Sequence, residues 1–321
     1  MKKVLITGVA GFIGFHLAKK LQNKFIVHGI DFFNPSEDSI YAQRLVQINS
    51  FIEYNHCDIR NYAELLKVIT DIKPDFIIHF AACTGIANSA LQPELYYDTN
   101  VKGFQNILDV CRELKIDKLF YASSSSVYNE NESVVFKEEN VGENQMSYYG
   151  TTKRQNEKLA DEYSSQYGIN CVGMRFFTVY GSWARQDMAA WKFMNALIIS
   201  GPVVLYNGGN VHRDFTHVSD IVESVSRLID AYLPGKSKGI HEIYNVGKGS
   251  PVSVKEYLLT IAENLGVKPE MIYKPLPANE LSFTHADTTK LFSKTGYKPQ
   301  RTLQEGVKEM TDWFLKYRQE K

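Results

Sequence analysis

Five short β-branched or aromatic runs, Val4 to Thr7, Phe25 to Ile30, Phe76 to Phe80, Lys118 to Ala122 and Asn170 to Phe176, alternate with segments of helical period. The helical segments run from Ile13 to Gln22, Asn61 to Ile69, Asn100 to Leu114 and Tyr149 to Tyr167. A strand reaches a parallel neighbour only through a crossover, so this alternation implies a parallel sheet with helices on both faces. After about Phe177 the rhythm changes to mixed loops, glycine-rich turns such as NGGN and a predicted helix from Ala189 to Ser200. A last helix carries Leu303, Val307, Met310, Phe314 and Tyr317 as one apolar stripe. The expected architecture is α/β: a Rossmann-type doubly wound parallel sheet over residues 1–177 and a smaller α/β C-terminal substrate domain over residues 178–321. A segment near 211–245 is expected to return to the first domain.

The stretch GVAGFIG places Gly8, Gly11 and Gly14, with Phe12 and Ile13 between them, where the first strand turns into the first helix. A turn of this kind brings backbone amides and a helix N-terminus close to a pyrophosphate, which side chains would keep away. The second strand, FIVHGID, ends at Asp31, 17 residues beyond Gly14, where a carboxylate can accept from both hydroxyls of an adenosine ribose. No arginine follows it directly, and the lone acid favours NAD over NADP, whose extra phosphate it would repel. Asp58, in HCDIR beside Ile59, is placed to accept from an adenine amino group. HFAACTG opens from a buried strand into small residues, Ala81 and Ala82 among them, which lets a cofactor approach the sheet.

YASSSSVY ends the fourth of these strands on the edge where open parallel sheets bind ligands. YYGTTK follows, and on a helix residues four apart share a face, so Tyr149 meets Lys153 and Tyr148 does not. A phenol with a pKa of about 10 is a poor base near neutrality unless cations stabilise its anion. Lys153 is one such cation and an oxidised nicotinamide a second, and together they are expected to lower the Tyr149 pKa towards working range. Tyr148 is expected to pack or to line the pocket.

The totals exclude several classes. Thirty-six basic and 36 acidic residues cancel, so no global field draws the chain to nucleic acid or an anionic membrane. Cys57, Cys83, Cys111 and Cys171 lie apart, fitting neither a zinc site nor a disulfide framework, and no metal site is expected. No stretch approaches the roughly 20 apolar residues of a membrane span. Reduced thiols and the absence of such a span point to a cytoplasmic protein.

Together, GVAGFIG, the strand-end Asp31, YASSSSVY and the Tyr149/Lys153 pair resemble the extended short-chain dehydrogenase/reductases of the nucleotide-sugar epimerase/dehydratase group. RFFTVYGSWARQDMA, HRDFTHVSDI, YNVGKGSPVSV and HADTTK are most similar to the UDP-glucuronate 4-epimerases. The resemblance implies bound NAD, a UDP-sugar substrate, a homodimer built on the helices at 100–114 and 149–167, and a role in polysaccharide biosynthesis. It implies Ser124, Tyr149 and Lys153 as catalytic residues, with Ser124 holding the sugar hydroxyl, Tyr149 as base and Lys153 on the nicotinamide ribose. Asn100 matches a position beside the cofactor. Substrate contacts carried over are Ser125, Ser126, Thr178, Arg185, Met188, Arg213 and Glu280, with Arg213 set against the diphosphate.

The reaction implied is proton removal at the carbon 4 hydroxyl with hydride transfer to NAD, rotation of the 4-keto sugar, and return of the hydride to its other face. Dehydratases and decarboxylases of the group carry carboxylates where Ser125 and Ser126 stand, which counts against both reactions. RFFTVYG and QDMA favour a uronate, but Ala87 stands where the group has an arginine, and PANEL replaces a Pro-Gly-Asp run. UDP-glucose or an N-acetylhexosamine derivative therefore stays open as substrate, as does a non-catalytic NAD-binding sensor.

Overall fold

The computed structural model describes residues 1–34, 39–129, 135–235, 237–277 and 280–319. Its main sheet holds β1 (Lys3–Thr7), β2 (Ile26–Asp31), β3 (Ile52–His56), β4 (Phe76–His79), β5 (Lys118–Ser124) and β6 (Asn170–Phe176). Four short strands follow, β7 (Thr178–Tyr180), β8 (Val203–Tyr206), β9 (His212–Arg213) and β10 (Phe215–His217), before β11 (His241–Val246) rejoins that sheet. The order is β11-β6-β5-β4-β1-β2-β3, every pair parallel. The chain reverses direction of winding between β1 and β4, and ligands of open α/β sheets bind outside the strand C-termini at that point.

The strands bury both faces, and alternate side chains divide between two cores. Val4 and Ile6 of β1 pack with helices α1 (Phe12–Leu21) and α9 (Val218–Tyr232), whereas Leu5 packs on the other side. There it meets α3 (Tyr62–Ile72), α6 (Gly103–Leu114) and α7 (Tyr148–Tyr167), the last two joined by Tyr163 Oη donating to Asp109 at 2.9 Å. A third core lies among α8 (Ala189–Ile198), α10 (Val254–Leu265) and α12 (Leu303–Gln319). The expected stripe of the last helix, Val307, Met310, Phe314 and Tyr317, is buried in it.

Three helices of nine or more residues lie outside the expected helical segments: α2 (Ile40–Ile48), α9 and α10. Their start signals are ordinary. Ser39 accepts from Ala42 N at 3.2 Å, and Ser253 accepts from Glu256 N at 3.0 Å. Of PANEL, Ala278 and Asn279 lie outside the described residues.

Candidate active site

The C-terminal ends of β1, β2, β4 and β5 open into one cavity of about 900 Å3, closed on the far side by the segment from Phe176 to Met188. At its cofactor end, Gly8 adopts φ +75°, and a Cβ there would lie 2.6 Å from Ala81 N. A Cβ on Gly14 would lie 2.2 Å from Gly8 O. These glycines therefore close the turn against β4 and α1, and only through that packing do they leave the helix start bare. The N-cap position, Gly11, carries no side-chain cap, so the leading N–H groups of α1 have no intrahelical partner. Gly11, Phe12, Ile13 and Gly14 line the cavity.

Asp31 ends β2 buried, its Oδ2 accepting from Ala10 N and its Oδ1 from Phe32 N, both at 2.9 Å. Burial pushes its pKa up to about 6, against those two hydrogen bonds and the Arg44 charge. Arg44 comes from α2, donates to Ala10 O at 2.8 Å and Trp183 O at 2.7 Å, and lies over the Tyr41 ring. The sequence reading noted no arginine directly after Asp31. Folding brings this one to the loop, although its guanidinium is spent on backbone carbonyls. Asp58 and Ile59 line the same end, with the Asp58 carboxylate clasped by Arg60 Nε at 3.0 and 2.9 Å.

Ala81 and Ala82 form the floor, and Asn100 lies behind it rather than on the cavity wall. Its amide accepts from Cys83 N at 2.8 Å and donates to Cys83 O at 3.0 Å and Thr152 Oγ1 at 3.1 Å. Asn100 thus shapes the loop after β4 from a π-helical turn, Tyr97–Lys102.

At the other end, Ser124 closes β5, and Ser125 and Ser126 form a turn that Ser124 Oγ caps by accepting from Ser126 N at 3.1 Å. Helix α7 begins against this turn because position 150 is glycine: a Cβ there would lie 2.1 Å from Ser126 O. Ser147 caps the helix by accepting from Gly150 N at 3.0 Å, and Tyr149 N donates to Ser89 Oγ at 3.1 Å. These contacts aim Tyr149 into the cavity and leave Tyr148 on the outer surface beside Pro93 and Tyr97. Ser89 and Gly150 have plain sequence roles only once that packing is known.

The electrostatics differ from expectation. Burial raises the Tyr149 pKa above its ordinary value, and what opposes this is the Arg185 charge and a hydrogen bond from Ser124. Lys153 is tethered nearby. Its Nζ lies 6.0 Å from the Tyr149 ring centre and donates to Ala122 O at 3.1 Å, and burial lowers its own pKa to about 8. A turn later, Glu157 is fully buried, accepting from Ser123 Oγ at 2.7 Å and from Arg175 Nε at 2.7 Å and Nη2 at 2.9 Å. This pair ties α7 to β5 and β6 beneath the site, and nothing in the sequence reading picked it out.

Of the remaining substrate candidates, Thr178, Arg185, Met188 and Glu280 line the cavity. Arg213 does not, and its Nη2 instead donates to Glu280 at 3.1 Å.

An uncapped helix start, a carboxylate at the next strand end and a lysine at the opposite extreme of one cavity fit a dinucleotide, adenosine end first. Known proteins agree. The chain is 39% identical over 331 residues to Protein CapI of Staphylococcus aureus, covering 98% of this chain and 99% of that one. It is 32% identical to the probable UDP-glucuronate 4-epimerase of Rhizobium meliloti, covering 97% of this chain and 96% of the relative. In structure it matches UDP-glucuronic acid 4-epimerase of Bacillus cereus, solved with UDP-glucuronic acid and NAD, at a TM-score of 0.88 and 30% identity over 98% and 99% of the two chains. The profile of the NAD dependent epimerase/dehydratase family spans residues 4–247, from β1 to the end of β11, and the chain belongs to that family.

Proposed function

We propose that the chain is a nucleotide-sugar 4-epimerase that interconverts UDP-glucuronate and UDP-galacturonate with NAD. The observation that carries this reading is one cavity wall that holds Ser124, Tyr149 and Arg185, with Ser124 hydrogen-bonded to the Tyr149 phenol and the Arg185 charge acting on it. The uronate is supported by the likeness to the Rhizobium and Bacillus proteins. When bound, NAD supplies the hydride acceptor and then the donor at carbon 4, so the reaction has no net redox change.

Tyr149 takes the proton of the carbon 4 hydroxyl and Ser124 holds that hydroxyl. The raised phenol pKa makes Tyr149 a strong base once ionised, and the Arg185 charge and Ser124 hydrogen bond favour the anion it must form. Lys153, fixed to Ala122 O, sets a positive charge beside the ribose position. Ser125 and Ser126 supply no carboxylate, so removal of water across carbons 5 and 6 lacks its acid/base pair. The sugar has room to turn because the cavity runs on past Thr178 and Met188 to Glu280.

The same proposal takes residues 178–321 as the nucleotide-sugar side, and includes a homodimer through α6 and α7, a cytoplasmic setting and a part in polysaccharide synthesis. Four free cysteines suit a reducing compartment, and exposed Tyr97, Tyr148 and Tyr167 lie on or beside the dimer helices. Purified protein is expected to convert UDP-glucuronate to its 4-epimer, seen by NMR in the carbon 4 proton, and to scatter light as twice its 36.6 kDa mass. Tyr149→Phe should cost about 10³-fold in rate while NAD stays bound. Turnover of UDP-glucose with none of UDP-glucuronate would overturn the substrate, and full activity of Tyr149→Phe would overturn the base.

A further inference from the structure

Arg185 is not free in its cavity. Its Nε donates to Asp187 Oδ1 at 3.0 Å and its Nη2 to Asp187 Oδ2 at 3.3 Å, so one edge of the guanidinium is occupied by a carboxylate two residues away. Asp187 also faces the first half of the chain. A Cβ built on Gly85 would lie 3.6 Å from Asp187 Oδ2, 3.7 Å from Tyr96 Oη and 3.9 Å from Asn88 Nδ2. The loop carrying Arg185 and Asp187 therefore converges on the start of α4 (Ile86–Leu91) above Tyr149, whose ring meets Tyr96 edge-on at 6.3 Å.

The place of Arg185 matters because of sugar connectivity. Carbon 5 adjoins carbon 4, so if the carbon 4 hydroxyl lies at Tyr149, the group on carbon 5 lies beside it. In a uronate that group is a carboxylate; in glucose it is a neutral hydroxymethyl. Arg185 lines the same cavity as Ser124 and Tyr149 and its charge acts on the phenol, so it is a cation that a carboxylate at this position can meet. Planar forked donors suit such an anion, yet here the fork is already shared.

We propose that Asp187 sets the discrimination between acidic and neutral sugars, by holding Arg185 in a two-point pair that a substrate carboxylate must share or displace. This rests on the uronate reading above. A neutral sugar leaves the pair intact and feels little of either charge. An acidic sugar gains from Arg185 but is repelled by Asp187, so the pair tempers uronate affinity and keeps the guanidinium oriented between turnovers.

The test uses full-length, NAD-loaded protein in a Tyr149→Phe background, where bound sugars stay unreacted, with UDP-glucuronate and UDP-glucose as titrants in calorimetry. Asp187→Asn keeps the side-chain shape and removes the charge, and Asp187 is exposed enough that the fold does not depend on it. UDP-glucuronate should bind about tenfold tighter while UDP-glucose changes by less than about twofold. Adding Arg185→Gln should abolish the gain. Equal changes for both sugars, or weaker uronate binding in Asp187→Asn, would overturn the proposal. The two readings fail separately: absent turnover of UDP-glucuronate defeats the substrate assignment, whereas the ratio of the two affinities still reports whether Asp187 restrains Arg185.

Discussion

Asp31 is buried among backbone donors that need its charge and surroundings that oppose it, and the balance leaves its pKa at about 6. Without cofactor, an acid raised in the folded chain gives stability that is present below its unfolded pKa and lost as pH rises through about 6. If Asp31 takes the proposed ribose role, hydroxyls donating to its carboxylate favour the anion, and the complex has the lower pKa. NAD binding should then release a proton below pH 6 and tighten as pH rises through that value, and Asp31→Asn should flatten the profile; affinity that weakens over this range would contradict the assignment. Asp31 and Tyr149 were legible because each follows from a spacing: a strand end after a glycine turn, and a four-residue helical step. Arg44, Glu157 and Asp187 were not, since their partners lie elsewhere in the chain or, for Asp187, in a loop without period. The tether of Lys153 to Ala122 O was not legible either, since spacing places two residues on one face and does not say where a flexible ammonium is held.

At the scale of elements, the start of α7 decides whether the site exists. Ser147 caps the helix, Ser89 holds the Tyr149 amide, and Gly150 lets the first turn lie on the carbonyl of Ser126. Gly150→Ala puts a methyl 2.1 Å from that oxygen, and backbone rather than a flexible side chain must yield. The expected cost is about 1–3 kcal/mol in stability, together with at least a tenfold fall in kcat as Tyr149 withdraws from Ser124. Chemical denaturation and steady-state kinetics measure both, and unchanged kcat would show that the turn can shift without moving the phenol. The strands and the helices flanking them were readable because buried parallel strands are continuous apolar runs. Helix α9 carries an equally clear stripe, Val218, Ile221, Val225, Leu228 and Ile229, but it follows a glycine-rich stretch, NGGN, whose local pattern is that of a loop. Asn100 shows the converse: a π-helical turn that no local pattern announces directs its amide into the loop behind the cavity floor.

Across the whole molecule, one parallel sheet brings the glycine turn, Asp31, the serines of β5 and Tyr149 to a common edge, and the segment after β6 closes over it. That β11 returns to the edge of the sheet beside β6 follows from contacts at long range rather than from local pattern. The result is one cavity in which, on the proposed function, a hydride can leave carbon 4 and a proton its hydroxyl oxygen, and both can return. The central claim is that Tyr149 chemistry at carbon 4 is internal, with the hydrogen on that carbon never exchanged with water. Conversion of UDP-glucuronate in heavy water, followed by NMR of the 4-epimer, tests it directly. The expected result is 4-epimer with the original hydrogen retained at carbon 4; deuterium appearing there would show removal of a carbon-bound proton instead and would contradict it.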